Sequence, residues 1–425
     1  MIAPDTGKRV GAPAIWRSLA EGCLLAYLLT LPGGMLVPGS VRTPLLYGVV
    51  IAGVLDAAVG PARARVRGLL SAGVFFGVHA LTILTSEHPS LSLDLSRFMP
   101  VVALVFVVAQ RVLVSRGATD RLFGCLGLIA AVVSIDGFCQ AVFRWSPLLL
   151  SGVAARDRLS ASLPHPNDLV VVPMLLPFAW EWLRARGTRW LVVGTIVVAP
   201  AVLVSLLASK SRNAWLTTLG VAGVWALLVL GWRWTAGMGL ACVGAIGGLL
   251  ALDLFGVRDR AGDFLRLQQD GRVGLWIVAL AMFRESPWLG KGVFTFGEYY
   301  RPSWYAFRVA FPQGYTPEAR IIPWAHNIVL EMLAERGVVG LASFLWLVGA
   351  PLLAVRRSLR EPRIAAVVSA LAGFLGASLV DLTLMKDWVA LMLFLLLAML
   401  WSLSGEAKGD AAPTDAGAAA GGKAV

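Results

Sequence analysis

Arginine and lysine side chains crowd one segment of this sequence, between residues 256 and 325. Nine basic residues lie there: Arg258, Arg260, Arg266, Arg272, Arg284, Lys291, Arg301, Arg308 and Arg320. A guanidinium group binds phosphate through two parallel hydrogen bonds and keeps its charge close to lipid. The segment therefore predicts a ligand that carries phosphate or diphosphate, although contacts with lipid headgroups explain most of these residues more simply.

Arg212 and Arg272 differ from the other basic residues, because each lies at the end of a predicted helix beside small or polar residues. For these two we favour a role at a functional site. Loops predicted on the same side of the molecule supply further polar side chains. The residues that we predict to bind a diphosphate or a glycan are Lys210, Arg266, Arg158, His165, Asn167 and Asn327.

His326 is the histidine best placed to move a proton, although on position alone a structural role is more common for a histidine at a helix start. It opens a predicted helix, where a neutral imidazole accepts a proton from an attacking hydroxyl group. Glu331 and Glu335 follow at spacings of five and nine, whereas a carboxylate four residues away would orient the imidazole better. We expect these glutamates to line the cavity or to pair with arginines. A further charged group, interpreted as a salt-bridged loop, consists of Asp381, Lys386 and Asp387.

The sequence lacks the patterns that hold a metal or a nucleotide. No His, Cys and Asp residues have the spacing of a zinc site, and no predicted outer loop contains Asp-x-Asp. No glycine loop of the Walker type occurs. The four cysteines lie in apolar runs and are interpreted as small core residues. We therefore predict no metal and no cofactor.

The rest of the sequence must place these residues in a membrane. The chain has 425 residues, of which 58% are hydrophobic and only 15% are charged, against about 25% charged in soluble domains. Apolar runs of about 20 residues recur along it, the length that a spanning helix requires. We predict an all-α polytopic membrane protein whose twelve spans lie near 18–37, 43–60, 68–86, 97–114, 121–143, 168–184, 190–209, 214–232, 236–254, 326–355, 363–381 and 384–403.

The predicted organisation has four parts. Residues 1–255 form spans one to nine, 256–325 a large partly helical loop, 326–404 spans ten to twelve, and 405–425 a Gly/Ala-rich disordered tail. The tenth span is predicted to break at Gly337, after a first helix over 326–336. In the loop, 271–284 predicts an amphipathic helix that lies on the bilayer surface. Its apolar face is predicted to comprise Val273, Trp276, Ile277, Leu280 and Phe283.

The distribution of basic residues predicts the orientation. The net charge of +12 would suggest nucleic acid for a soluble protein. A cytoplasmic N-terminus would place one set of segments inside the cell. These segments hold more than twice as many Lys and Arg as the short outer loops. Because cytoplasmic loops concentrate positive charge, we predict a bacterial inner-membrane protein with both termini cytoplasmic, its loop in the periplasm and no nucleic acid partner.

Several motifs together resemble a known family. The stretch HNIVLEMLAERGVVG at 326–340 resembles the signature of the O-antigen ligase/polymerase superfamily of bacterial membrane glycosyltransferases. RVGLW at 272–276 and SPWLGKGVF at 286–294 resemble its loop motif, and SRNAW at 211–215 its motif before the loop. Pro166-Asn167 matches a shorter outer-loop element. The similarity covers roughly residues 160–350.

The resemblance implies an enzyme that uses glycans linked to a polyprenyl diphosphate. Within the superfamily it favours the ligase, which moves O-antigen from undecaprenyl diphosphate to lipid A–core on the periplasmic leaflet, without metal and with inversion. Arg212 and Arg272 would then bind the diphosphate, and His326 would contact or activate the acceptor hydroxyl. The implied partners are the undecaprenyl-diphosphate-linked glycan, the lipid A–core acceptor and membrane lipids.

Three alternatives stay open. The polymerase pattern, an arginine followed by ten residues and a glycine, occurs at Arg212–Gly223 and Arg260–Gly271, but 45 glycines make such matches easy. A protein O-oligosaccharyltransferase is expected to carry an extended C-terminal acceptor domain, which we do not find. A lipid-linked glycan transporter usually has related halves and midplane charges, whereas here the halves differ and polar residues gather at one face.

Overall fold

The structure is a computed structural model, and it describes residues 12–31, 37–59, 66–153, 158–253, 258, 271–312, 315, 317 and 320–406. Its regular secondary structure, over the described residues, is helical apart from one hairpin, in which Trp145–Ser146 (β1) pairs antiparallel with Ser151–Gly152 (β2). The predicted fold class, an all-α polytopic membrane protein, is confirmed at this level. Arg266, the sequence around it and the tail from residue 407 lie outside the described residues.

The helices before the loop are α1 (Ala12–Leu29), α2 (Gly39–Val59), α3 (Leu69–Leu84), α4 (Pro89–Leu95), α5 (Met99–Val112), α6 (Arg116–Phe143), a 3₁₀ helix (Pro166–Val170), α7 (Val171–Ala185), α8 (Thr188–Ala208), α9 (Arg212–Val229) and α10 (Trp232–Leu252). Those that follow are α11 (Arg272–Glu285), α12 (Phe296–Tyr299), α13 (Pro302–Tyr305), α14 (Ile328–Val355), α15 (Pro362–Ser378) and α16 (Asp387–Glu406).

Six described segments are long and apolar enough to cross a membrane: Gly39–Val59, Pro89–Val112, Arg116–Phe143, Thr188–Ala208, Ile328–Val355 and Asp387–Gly405. Helices α3 and α15 are apolar but shorter. Four more predicted spans coincide with α1, α7, α9 and α10, which are not among these segments. The chain therefore spans a membrane several times, and the count of twelve stays a prediction.

The helices pack around α16, whose apolar segment is the most buried of the six. Helix α6 packs on α7 and α8, α9 packs on α15, and α5 packs on α16. Small residues allow the closest approaches: a Cβ added at Gly127 of α6 would lie 2.7 Å from Cα of Ala179 in α7. Such small-residue contacts drive helix association in lipid, where burial of apolar surface gives no advantage.

Helix α14 breaks at Gly337, as predicted, with φ 63° and ψ −166°. The segment 287–292 runs beside the break and bonds to its backbone. Lys291 N donates to Ala334 O at 3.0 Å, and Val338 N donates to Pro287 O at 2.9 Å. Irregular backbone is tolerated at membrane depth only where protein satisfies its polar groups. The loop segment does so here, and the break fastens the loop to the bundle.

Helix α11 confirms the helix predicted over 271–284, but the face that it buries against the protein is not the predicted apolar face. The buried residues are Gly274, Leu275, Val278, Ala279 and Met282, whereas Leu280 is exposed. The helix is apolar on most sides, so two faces satisfy the i, i+3, i+4 spacing. Packing against α14 selects one of them, and sequence periodicity carries no information about that neighbour.

Candidate functional site

His326 lies at the start of α14 with a positive φ of 53°, a conformation that non-glycine residues adopt rarely. Its Nδ1 lies 2.6 Å from Oδ1 of Asp381, in the turn between α15 and α16. The indole Nε1 of Trp324 is also near this nitrogen, at 3.3 Å. We assign the proton of Nδ1 to the shorter contact, because a charged acceptor makes the stronger hydrogen bond. Nδ1–H then donates to Asp381, and Nε2 keeps its lone pair.

Asp381 is held as an anion. Only 4% of the residue is exposed, and burial alone would raise the pKa of its carboxyl group. The hydrogen bond from His326 and the positive charges of Lys386 and Arg272 outweigh burial, so the pKa of Asp381 is lowered. Arg272 therefore lies within electrostatic reach of the pair. A buried carboxylate of this kind fixes the tautomer and orientation of an imidazole.

The interpretation of residues 381–387 as one salt-bridged loop is wrong. Lys386 Nζ pairs instead with Oδ1 of Asp168 at 3.1 Å and lies 5.4 Å from the ring of Trp324. Asp381 and His326 are 55 positions apart, so no local spacing indicates that they meet. The sequence offered one indication only: Asp381 is an acidic residue at a predicted outer turn, on the same side of the membrane as His326, and a catalytic imidazole commonly pairs with a carboxylate.

Glu331 joins the two segments that carry the pair. It is buried, at 1% exposure, and its Oε1 accepts a hydrogen bond from Oγ1 of Thr383. The backbone amide of Ala325 also donates to this carboxylate. The side chain of Glu331 thus holds together Ala325, the residue before His326, and Thr383, which lies two residues after Asp381. Among the described residues the expected ion pair of Glu331 with an arginine is not found, and its Oε2 has no hydrogen-bond partner.

Glu335 does pair with an arginine, as expected, since its Oε2 lies 3.5 Å from Nη1 of the adjacent Arg336. Both residues are buried. Oε1 of Glu335 accepts a hydrogen bond from the backbone N–H of Phe296 at 3.2 Å. The carboxylate of Glu335 therefore holds the start of α12 in the loop against α14, next to the break in that helix.

A second group of predicted residues meets around Arg158. Its Nη2 donates to Oδ1 of Asn167 at 2.6 Å, and its Nε donates to the carbonyl of Ser209 at 3.1 Å. Nδ1 of His165 accepts from the backbone of Asn167 at 3.2 Å and caps the 3₁₀ helix. Arg158 thus ties the loop before α7 to the segment that contains Lys210.

His165 is linked to the His326 pair electrostatically. Burial lowers the pKa of its imidazole, as does the charge of Arg158, and the nearby negative charges of Asp168 and Asp381 only partly oppose this. A lowered pKa keeps His165 neutral near pH 7. Asp381 is therefore close enough to join the two groups of residues in one site.

Two asparagines hold the start of α9 and of α14 against the end of α15. Asn213 Nδ2 donates to the carbonyl of Ala377 at 3.2 Å, and Asn327 Nδ2 donates to that of Leu379 at 3.0 Å. Asn327 also caps α14 through its Oδ1. Arg212 is the first residue of α9 and is half-buried. The N-terminal amides of α9 favour an anion beside it.

Arg272 is positioned by a tyrosine from the loop. Tyr315 Oη donates to the carbonyl of Gly271 at 2.9 Å and accepts from the amide of Gly274 at 2.9 Å. These two bonds bracket Arg272 at the start of α11. The glycine at 274 is needed for this contact, because an added Cβ would lie 2.4 Å from Tyr315 Oη.

Other members of the basic loop set are used elsewhere. Lys291 is 9% exposed and pairs with Glu87 at 2.6 Å and Glu285 at 2.8 Å. Burial opposes its charge, but these bonds raise the pKa of Lys291. Arg301 pairs with Glu298 at 2.7 Å. Lys291 therefore fastens the loop to the end of α3, whereas Arg272 is the arginine of the loop set whose charge reaches Asp381.

An apolar cavity of about 860 Å³ lies between α6, α7, α8 and α9. Leu206 and Thr218 line it on the side of the site, and Arg121 and Arg186 line it at the other end. Thr218 is six residues from Arg212, about 9 Å along α9 at 1.5 Å per residue. The cavity therefore extends from just below the predicted diphosphate residues into the bundle.

In the described part of the chain, no three His, Cys, Asp or Glu side chains are grouped so that they would hold a metal ion. The positive groups near the pair are instead Arg272 and Lys386. The arrangement can therefore transfer a proton at His326 and balance negative charge with fixed guanidinium and ammonium groups. The roles predicted for the individual residues stay predictions.

Two comparisons with known proteins match the part of the sequence that carries much of this site. Residues 197–345 match the family model described as O-Antigen ligase. The matched segment includes Lys210, Arg212, Arg272, His326 and Asn327. An O-antigen ligase of Salmonella typhimurium is 30% identical over 193 residues, which cover 44% of this chain and 45% of the relative. The chain thus spans about half the length of the curated relative it matches. The resemblance predicted from the motifs is confirmed, since residues 197–345 of this chain are similar to the O-antigen ligase family.

Proposed function

We propose that the protein is an O-antigen ligase, a glycosyltransferase that moves a glycan from undecaprenyl diphosphate to lipid A–core. The observation that carries this proposal is the 2.6 Å contact between His326 and Asp381, at the start of a helix inside the family match. An oriented imidazole with a free Nε2 is suited to activate an acceptor hydroxyl. The name of the curated relative supports the ligase among the members of the superfamily.

In the proposed step, Nε2 of His326 removes the proton of the acceptor hydroxyl as its oxygen attacks the anomeric carbon. The bond from that carbon to the diphosphate oxygen breaks, and undecaprenyl diphosphate leaves. A single in-line displacement inverts the anomeric centre. Asp381 stabilises the imidazolium that forms, and the proton then passes to water. The His326 side chain is 20% exposed, so an acceptor can reach it.

Negative charge grows on the departing diphosphate, and Arg212 and Arg272 are proposed to receive it. Fixed guanidinium groups stabilise such charge without reorganisation, and the step then needs no metal. Arg272 already lies close enough to lower the pKa of Asp381. Lys210 and Arg158 are proposed to hold the remaining phosphate and glycan oxygens, with His165, Asn167 and Asn327 shaping that part of the site.

The apolar cavity between α6 and α9 supports a lipid-linked donor. It begins about 9 Å below Arg212 along α9, the depth at which an isoprenoid chain would leave its diphosphate. A water-soluble sugar nucleotide would need no such cavity. We propose that the first isoprene units of the donor lie there.

The proposal includes an orientation. Twelve spans with both termini in the cytoplasm would place His326 and the loop 256–325 in the periplasm of a bacterial inner membrane, with the tail from residue 405 inside. The basic residues support this arrangement. The loop is bonded to α14 at its break, which supports a position of the loop on the bilayer surface. From there α11 can cover the donor.

The test uses purified full-length protein with an undecaprenyl-diphosphate glycan and lipid A–core, with chelator and without added metal. A glycan–lipid A product that disappears in His326→Ala supports the ligase. Longer glycans on undecaprenyl diphosphate would indicate the polymerase instead, and glycan on a protein acceptor the oligosaccharyltransferase. If no acceptor is modified, the transporter becomes the leading alternative.

A further inference from the structure

A basic groove lies at the end of the bundle opposite His326. It has a volume of about 450 Å³ and lies between the turn that joins α9 to α10 and the turn that joins α14 to α15. Arg356, Arg357 and Arg360 line one side, and Trp232 with neighbouring leucines lines the other. His326 precedes α14 and Arg356 follows it, so a 28-residue helix separates the groove from the candidate site.

Unlike several other arginines at this end of the bundle, the three arginines of the groove have no acidic partner among the described residues. The paired residues are Arg111 with Asp56, Arg121 with Glu21, Arg184 with Glu181, and Arg363 with Asp120. Within the described ranges, Arg356, Arg357 and Arg360 form no ion pair, although Glu361 follows them directly in the chain. No acidic side chain lines the groove. Their charge is therefore available to an anionic ligand.

The spacing of the arginines suits a phosphate. Arg356 and Arg360 are four residues apart and Arg357 lies between them, in a turn that follows the helix end. Guanidinium groups bind phosphate oxygens in pairs, and Arg does so more specifically than Lys. All three side chains are exposed at the surface, so a headgroup can approach them without displacing protein.

The opposite side of the groove suits the upper part of an acyl chain. Trp232 is 71% exposed, and Leu227, Leu228 and Leu359 line the same groove. Exposed tryptophan is typical of the membrane–water boundary, and basic grooves between spanning helices bind anionic headgroups. Free phosphate would use the arginines but not the leucines. We propose that this groove binds an anionic phospholipid, with its phosphate on Arg357 and Arg360.

The general excess of basic residues at one side of a membrane protein is a weaker explanation. It accounts for positive charge anywhere on that side, but not for three arginines without partners around an apolar groove. Arg116 and Arg189 provide the comparison, because both are exposed at helix starts at the same end of the bundle. They do not line the groove. The inference depends only on membrane insertion and is independent of the proposed transferase activity.

The experiment is native mass spectrometry of the full chain in detergent, titrated with phosphatidylglycerol or with phosphatidylethanolamine. We expect tight binding of one phosphatidylglycerol. Arg357→Gln/Arg360→Gln should weaken this binding about tenfold, whereas Arg116→Gln/Arg189→Gln, with the same loss of charge, should change it little. Arg360→Gln alone serves if the double variant is unstable, and unfolding temperatures check the fold of each variant.

Three results would overturn the proposal. Equal weakening in both double variants would show a general charge effect. Equal affinity for phosphatidylethanolamine would show that the anionic headgroup is not selected. Displacement of the bound lipid by millimolar inorganic phosphate would show that the arginines bind phosphate without regard to the acyl chains.

Discussion

Asp381 Oδ1 lies 2.6 Å from Nδ1 of His326, and the side chain of Asp381 is 5% exposed against 20% for His326. The buried member of the pair is thus the carboxylate, and the accessible member is the imidazole. This asymmetry suits a base that meets the acceptor and a partner that orients it. A substitution of Asp381 can therefore be compared with a substitution of a neighbouring charge that does not contact His326.

Asp381→Asn should therefore slow glycan transfer. The amide keeps the shape of the side chain but favours the wrong imidazole tautomer and does not stabilise an imidazolium. We expect kcat to fall by about 10²–10⁴-fold, with little change in the KM for the donor. Asp387→Asn is the matched control, because Asp387 begins α16 directly after the turn and, among the described residues, its side chain accepts a hydrogen bond only from the backbone of Trp388. Similar kinetics for both variants would contradict the role of Asp381.

The lowered pKa of Asp381 also predicts a dependence of stability on pH. A carboxyl group whose pKa is lower in the folded state stabilises the protein above its unfolded pKa, about 3.9. That contribution is lost as the pH falls through the folded value. Unfolding temperatures in detergent should thus differ between wild type and Asp381→Asn at pH 7 and converge below about pH 4. A constant difference across this range would rule out the linkage.

Glu331 is expected to act through the pair rather than on substrate. Glu331→Gln keeps an oxygen that accepts from Thr383 and Ala325, so it should retain most activity. Glu331→Leu and Thr383→Val each remove the shared hydrogen bond and should lower kcat by about tenfold, as loss of a positioned contact does. The double variant should be little worse than either single variant. Additive losses, or an equal loss in Glu331→Gln, would contradict the positioning role.

The diphosphate role predicts a difference between two arginines of α11. Arg272→Ala and Arg272→Gln should lower kcat/KM by about 10²–10³-fold while the protein stays folded, and Arg272→Lys should recover part of the loss. Arg212→Gln should behave similarly. Arg284→Gln is the control, because Arg284 is exposed in the last turn of the same helix. Near-normal transfer by Arg272→Ala, measured with the undecaprenyl-diphosphate donor, would remove the residue from the mechanism.

The sequence predicted those features that depend on local pattern. His326, the helix at 272–285 and the break at Gly337 follow from motif, periodicity and a glycine inside an apolar run. The partner of His326 and the buried face of α11 depend on residues distant in the chain. For Asp381 and for Leu275 the decisive contacts are made by other helices. Periodicity cannot supply such contacts, since tertiary packing decides between local alternatives that fit equally well.

The break in α14 gives the last prediction. Gly337 has φ 63°, and an added Cβ would lie 2.2 Å from the carbonyl oxygen of Trp288. Gly337→Ala should therefore destabilise the protein by about 1–3 kcal/mol or more from backbone strain and overlap, and should lower transfer because the loop is fastened there. Gly349 lies in the same helix with nothing within 4 Å of an added Cβ.

Gly349→Ala should consequently leave transfer unchanged and raise stability by about 0.5–1 kcal/mol, as alanine does in a helix interior. Thermal unfolding in detergent and the ligase assay on the same preparations measure both effects. If the two variants are equally stable and equally active, the break is not needed to hold the loop. If Gly337→Ala alone loses stability and activity together, the loop segment 287–292 and the helix break work as one unit that positions the chain on either side of His326.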